Sequence, residues 1–96
     1  MDRETVIRTL REHEPELRAA GVLSLRLFGS VARGEARPNS DVDLMARFEK
    51  GLSIIDLAEI ECVLSDLLGA RVDLAQEGRL KGPIREEAER EAVLAF

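Results

Sequence analysis

The chain has 96 residues, a mass of 10.7 kDa and a formal net charge of −5, which predicts one small domain spanning residues 1–96. Nineteen acidic against 14 basic side chains, with only three aromatic residues, exclude a protein that binds nucleic acid through positive charge or base stacking. No apolar stretch approaches the roughly 20 residues that cross a bilayer, and a single cysteine fits a reducing compartment. We therefore expect a cytoplasmic protein that binds neither membrane nor nucleic acid directly.

The first half of the chain predicts helical segments followed by two strands. The predicted elements are an amphipathic helix over 2–14, a further turn over 15–21, a strand over 22–28, a helical turn and loop over 31–40, and a strand over 41–48. Asp2 is the expected cap of the first helix, and Pro15 ends or kinks it. Alternation of apolar and polar residues over 22–28 is the pattern of a half-buried strand.

The second half predicts a helix, a short strand and a final helix. Ser53 and Asp56 have the spacing of a capping box, which begins a helix that Gly69 ends. The predicted apolar stripe of this helix is Ile54, Leu57, Ile60, Leu64 and Leu67. A third strand is predicted over 71–75, and Pro83 begins a helix whose predicted apolar face is Ile84, Ala88, Ala92 and Ala95. This order predicts an α/β (α+β) fold, a small mixed sheet flanked by helices.

Three aspartates fall on or beside predicted strands, where this residue type is disfavoured. Asp41 and Asp43 are two residues apart and leave the same face of a strand, with Cα atoms about 6.6 Å apart. Carboxylates at that spacing suit two divalent ions roughly 3.5–4 Å apart. An all-oxygen ligand set favours Mg²⁺, with Mn²⁺ as the alternative.

A repeated tripeptide adds the third carboxylate. Residues 42–44 and 72–74 are both Val-Asp-Leu, on strands that one crossover helix joins, so Asp73 is expected beside Asp43. The alternative is that these aspartates cap turns or pair with arginine, and for Asp41, which follows Asn39-Ser40, the two interpretations are evenly balanced. For the two strand aspartates a structural role is disfavoured, because burying a lone carboxylate costs free energy.

Gly29-Ser30 ends the first predicted strand ahead of a short helix, an arrangement that can cradle a phosphate or simply form a turn. Arg33 and Arg37 follow and could meet polyphosphate charge, and Ser40 could contact a phosphate or cap a turn. Residues 26–47 have a net charge of +1, whereas residues 48–75 have −4. The positive block is therefore the candidate nucleotide-binding segment.

These residues resemble the signature of the polymerase-β-type nucleotidyltransferase superfamily. The resemblance consists of Gly-Ser at 29–30, Asp-Val-Asp at 41–43 on the next strand, and a third aspartate at 73. Within the superfamily the chain is most similar to the minimal nucleotidyltransferases, over essentially its whole length. The family's reaction transfers a nucleoside monophosphate from a triphosphate, ATP or another, and releases pyrophosphate.

The resemblance implies a role for each residue of the signature. Gly29 and Ser30 would bind the triphosphate, with Arg33 and Ser40 as further candidates. Asp41 and Asp43 would bridge two Mg²⁺ ions. Asp73 would join the catalytic metal and help deprotonate the attacking hydroxyl.

The resemblance also implies a partner. Many minimal nucleotidyltransferases are antitoxins of small helical HEPN-type toxins, and some attach AMP to the toxin. The short chain leaves no second domain to wall off an acceptor, so we expect another chain to supply it, in an oligomer or hetero-oligomer. The alternative function is a non-catalytic module that neutralises such a toxin by forming a complex.

The remaining candidates are structural. His13 is interpreted as a solvated residue rather than a ligand, since the chain has no second histidine. Cys62 is interpreted as a core or near-core residue. Val93, Leu94 and Phe96 either pack on the domain or meet a partner.

Overall fold

Eight helices and strands follow one another in the part of the chain that the computed structural model describes, residues 2–35, 37, 41–77, 86, 90 and 92–96. They are α1 (Arg3–Glu12), α2 (Glu14–Ala19), β1 (Val22–Phe28), α3 (Gly29–Arg33), β2 (Val42–Phe48), α4 (Ile54–Leu68), β3 (Val72–Gln76) and β4 (Val93–Leu94). No helix among these residues has the length and apolar character needed to cross a membrane.

The helix ends follow the predicted capping chemistry. The Asp2 carboxylate accepts a hydrogen bond of 2.7 Å from the Thr5 N–H at the start of α1. Ser53 and Asp56 form both hydrogen bonds of a capping box at the start of α4. Gly69 ends α4 in the left-handed conformation that glycine adopts at low cost.

A mixed four-stranded sheet has the order β3-β2-β1-β4. β1 pairs antiparallel with β2 and places Phe28 opposite Asp43. β2 pairs parallel with β3 and places Asp43 beside Asp73, as the repeated tripeptide predicts. The predicted mixed sheet flanked by helices is confirmed, with α4 as the crossover between the parallel strands.

The core lies between one face of the sheet and the helices. Its fully or almost fully buried side chains include Val6, Leu10, Leu17, Leu25, Leu27, Val42, Leu44, Leu64 and Val72. This burial fixes the orientation of β2 and β3. Because Val42 and Leu44 point into the core, Asp43 between them points to the opposite face.

The C-terminal segment differs from the predicted final helix. Glu86 and Arg90 are helical, but Val93–Leu94 is a strand that pairs antiparallel with β1, so the predicted extension of the helix through Ala95 is wrong. Alanines at helical spacing favour a helix only weakly. The backbone N–H and C=O groups along the side of β1 favour pairing with a further strand, and this pairing decides the structure of residues 93–94. Val93 and Phe96 pack against the core, whereas Leu94 is half exposed. The predicted first residue of this helix, Pro83, and two residues of its predicted face, Ile84 and Ala88, lie outside the described residues.

Two predictions on α4 are also wrong. Ile54, placed on the apolar stripe, is 86% exposed, and Cys62 is exposed rather than near the core. The buried side of the helix is formed by Ile60, Leu64 and Leu68. Two residues along a helix turn the side chain by about 200°, so the neighbour of a buried Ile60 at position 62 faces solvent.

Candidate active site

The two halves of the sequence signature meet at one end of the sheet, where β1 ends and β2 and β3 begin. Gly29 directly follows the carboxyl end of β1, while Asp43 and Asp73 lie near the amino ends of β2 and β3. Because β1 runs antiparallel to these two strands, all three residues lie at the same end of the sheet. Sequence positions 29, 43 and 73 are thereby brought together.

Gly29 lies directly against Asp43. It has φ +74°, and a Cβ built on it would overlap the Asp43 Oδ2 and stand 3.0 Å from the Asp43 Cγ. An L-amino acid with a side chain would therefore meet both an unfavourable backbone conformation and a steric conflict with the carboxylate. Glycine at this position sets where the Asp43 carboxylate can stand.

Asp43 is the aspartate of the site whose pKa is shifted. Partial burial raises its pKa, and the neighbouring charges of Asp73 and Asp41 raise it further, whereas Arg33 lowers it. Crowding of like charges in a partly desolvated place is typical of functional carboxylates. Asp41 and Asp73 are therefore close enough for their charges to act on the Asp43 carboxylate.

The donor chemistry of these residues fits a divalent cation. Asp41 is exposed just before β2, Asp43 is half-buried, and Asp73 is exposed on the paired position of β3. Hard carboxylate oxygens that repel one another are stabilised by Mg²⁺ or Mn²⁺. Among the described residues, however, no three acidic, histidine or cysteine side chains are already gathered as a metal-binding group. Metal binding by this set remains a prediction.

The predicted phosphate-binding residues are distributed around α3. Ser30 is half-buried in its first turn, and its carbonyl accepts a 2.8 Å hydrogen bond from the Glu35 N–H. The exposed Arg33 donates from Nε to the Glu35 carboxylate at 3.0 Å. Arg37 is exposed, and Ser40 lies outside the described residues.

Arg26 is a candidate that the sequence analysis missed. It lies on β1 opposite Met45, two residues before Phe28, and therefore on the same face as Asp43. Its Nε is buried and has no hydrogen-bond partner among the described residues. The strand alternation that placed Asp43 outside the core would also have placed this guanidinium on the Asp43 face.

Comparison with known proteins agrees with this geometry. Residues 5–95 match the nucleotidyltransferase domain family. The chain belongs to that family. It is a nucleotidyltransferase, as the Gly-Ser and aspartate signature implies.

Two of the similar proteins cover nearly the whole chain. The protein adenylyltransferase MntA of Thermococcus cleftensis is 42% identical over 91 residues, which are 94% of this chain and 92% of the relative. A solved structure, provisionally named a minimal nucleotidyltransferase, is 47% identical with a TM-score of 0.79 and covers 97% of this chain and 95% of its own.

More distant structures share the fold. A Shewanella oneidensis complex of a tri-AMPylated HEPN toxin with an MNT antitoxin matches with a TM-score of 0.66 at 17% identity, over 94% of this chain and 71% of the other. A toxin–antitoxin structure with AMP-PNP has a TM-score of 0.70 at 22% identity, covering 100% and 73% of the two chains. These two likenesses concern the fold.

Proposed function

We propose that this nucleotidyltransferase transfers AMP from ATP to a hydroxyl of a partner protein, in a Mg²⁺-dependent reaction. The observation that carries the proposal is that Gly29, Asp43 and Asp73 lie side by side at one end of the sheet. The similar MntA, named a protein adenylyltransferase, supports AMP as the transferred group and a protein as the acceptor.

The triphosphate is bound beside α3 in this proposal. The bare Cα of Gly29 lets a phosphate approach the backbone, and Ser30 donates its hydroxyl to a phosphate oxygen. Arg33 adds positive charge close to Asp43, whose pKa it lowers. Arg26 faces the same side of the sheet and is the further candidate for a phosphate contact.

The aspartates place the cation and receive a proton. Asp41 and Asp43 would hold the Mg²⁺ ions, and Asp73 would contribute to the catalytic one. When bound, Mg²⁺ neutralises the triphosphate and favours ionisation of the acceptor hydroxyl. The hydroxyl oxygen bonds to the α-phosphorus as its bond to pyrophosphate breaks, and an Asp73 carboxylate oxygen accepts the hydroxyl proton.

We propose a HEPN-type toxin as the partner, with this chain as its cytoplasmic antitoxin in a hetero-oligomer. Support comes from the fold shared with an MNT antitoxin that is bound to a HEPN toxin. The described site lies at the strand ends of β1, β2 and β3, and a second chain would supply the acceptor there.

Labelled ATP tests the proposed reaction. The protein is incubated with ATP labelled at the α-phosphate, Mg²⁺ and the product of the neighbouring gene, and the label is expected on that product. Asp43→Ala is expected to abolish the transfer. The proposal would be refuted if the wild-type protein transferred no label, or if the variant labelled the product equally well.

A non-catalytic antitoxin is the alternative function, favoured by the half-exposed Leu94 on the edge strand. The double variant Asp41→Asn, Asp43→Asn separates the two. Cells protected by this variant from the neighbouring toxin would support neutralisation by binding. Loss of protection with complex formation intact would support catalysis.

A further inference from the structure

Exposed apolar side chains are concentrated on α4, away from the candidate active site. Three of the four large exposed apolar residues in the described part of the chain lie on this helix, Ile54, Ile55 and Val63, exposed by 86%, 70% and 47%. Ile54 and Val63 face opposite sides of the helix, and the exposed apolar surface at Val63 is of the kind that marks sites of protein association. Neither the proposed reaction nor the core accounts for it.

A groove of about 380 Å³ lies between α2 and α4, and Val63 is one of its lining residues. Its floor is formed by the buried side chains of Leu17 and Ile60, and Ala20 and Val63 form its walls. A groove between two helices fits the apolar face of a third helix. We call this feature the α2–α4 groove.

The rim of the α2–α4 groove is acidic. Glu16, Asp56 and Glu59 line it, and no lysine or arginine is among its described lining residues. Arg18, the one arginine of α2, does not line the groove. Its guanidinium contacts the Glu14 carboxylate at 2.7 Å and stacks over the Phe96 ring. Like charges disfavour pairing of this face with a second copy of itself and favour a basic partner.

The groove and the catalytic aspartates lie on opposite faces of the sheet. α4 packs on the face that carries Val42 and Val72, whereas Asp43 points to the other. The helix ends three residues before Arg71, near the strand end that carries Asp73, and three of the four α4 residues that line the groove lie in its amino-terminal half. A partner held in the groove therefore leaves the Asp43 face open.

From the groove, its acidic rim and its position we infer that the α2–α4 groove docks an amphipathic helix of the partner protein, with an apolar face flanked by lysine and arginine. This rests on the proposed function, because the docked protein is the one that accepts AMP. Docking on one face of the sheet and chemistry on the other make recognition of the partner separable from catalysis.

A peptide tests the docking site independently of the reaction. The probe is an 18-residue helical peptide with leucines on one face flanked by lysine and arginine, and a matched peptide carries glutamate at the basic positions. In NMR titrations of the full chain, the basic peptide is expected to shift the amide signals of Ala20, Ile60 and Val63. The acidic peptide is expected to cause no shift. No binding, shifts centred elsewhere, or concentration-dependent shifts without peptide would overturn the inference.

Charge reversal links the groove to the partner protein. The double variant Glu16→Lys, Glu59→Lys is expected to weaken binding of the basic peptide at least tenfold. It is also expected to raise the KM for the neighbouring gene product at least tenfold while kcat and ATP affinity stay unchanged. Glu61→Lys, on the same helix but outside the groove, is the matched control and is expected to behave as wild type.

The outcomes distinguish the two proposals. Unchanged peptide affinity and KM in the double variant would refute the docking site and leave the proposed reaction standing. If the wild-type protein does not label the neighbouring product at all, the proposed reaction fails. The peptide titration then decides the docking inference alone.

Discussion

Gly29 and Asp43 are in direct contact, although 14 positions separate them in the chain: the Cα of the glycine stands where any side chain would displace the carboxylate. This contact joins the two halves of the sequence signature. The absence of a side chain at Gly29 holds open the position of a carboxylate proposed to bind metal, and the same bare backbone is the proposed contact for a phosphate.

Gly29→Ala is expected to lower the rate of nucleotidyl transfer by about 100-fold. The alanine Cβ displaces the Asp43 carboxylate, and a misplacement of about 1 Å at a reacting centre can cost on the order of 100-fold in rate. Initial rates of label transfer measure this effect. Gly34→Ala is the matched control, because Gly34 has nearly the same φ, +75°, but nothing lies within 4 Å of its added Cβ.

The two alanine variants also differ in stability. Each is expected to lose about 1–2 kcal/mol from the left-handed backbone conformation, and Gly29→Ala loses more because of the steric conflict. Urea denaturation measures both. Equal loss of activity in the two variants would show that backbone strain, and not the contact with Asp43, accounts for the effect.

Asp43→Asn is expected to stabilise the metal-free protein at pH 7 while abolishing transfer. Partial burial and the charges of Asp73 and Asp41 raise the pKa of Asp43, so its ionised form is less favourable in the folded than in the unfolded protein. The gain is kept below about 1 kcal/mol by solvent screening. Thermal denaturation detects it.

The pH dependence of this gain follows from the direction of the shift. The penalty for ionised Asp43 is fully present above its raised pKa and disappears below the ordinary pKa, where both states are protonated. The stability difference between variant and wild type is therefore expected to shrink on acidification. A gain that is equal at pH 3 and pH 7 would contradict this origin, and Asp66→Asn on α4 is the control for loss of one surface charge.

Ser53→Ala is expected to destabilise the protein by about 1 kcal/mol without changing the rate of transfer by the folded enzyme. The serine accepts a 3.1 Å hydrogen bond from the Asp56 N–H at the start of α4. Ser53→Asp keeps an acceptor at this position and is expected to retain most of the stability. If the aspartate variant unfolds as easily as the alanine variant, the cap is not the cause.

Leu64→Ala and Ile54→Ala test the assignment of faces on α4. Leu64 is fully buried, so its truncation is expected to cost about 2–5 kcal/mol. Ile54 is 86% exposed, and its truncation is expected to change the free energy of unfolding by less than about 0.5 kcal/mol. Similar losses for both would restore the apolar stripe that the sequence predicted.

Local signals determined a large part of this protein. The bounds of β1, the capping box of α4 and its glycine end were predicted, because they depend on residues that are neighbours in the chain. The pairing of Asp43 with Asp73 was predicted as well, since two identical tripeptides joined by one helix leave little freedom in register. The candidate site could be located from these elements alone.

Tertiary structure decided what depends on distant partners. Val93–Leu94 became a strand because the edge of β1 offered backbone hydrogen-bonding groups that a local alanine pattern does not show. The exposure of Ile54 depends on which side of α4 packs on the core, and the contact between Gly29 and Asp43 on the antiparallel pairing of β1 with β2. The sequence by itself thus determined which residues are the candidates for the chemistry. Packing across the sheet determined how closely they meet and which apolar surface remains exposed, because both depend on contacts between residues far apart in the chain.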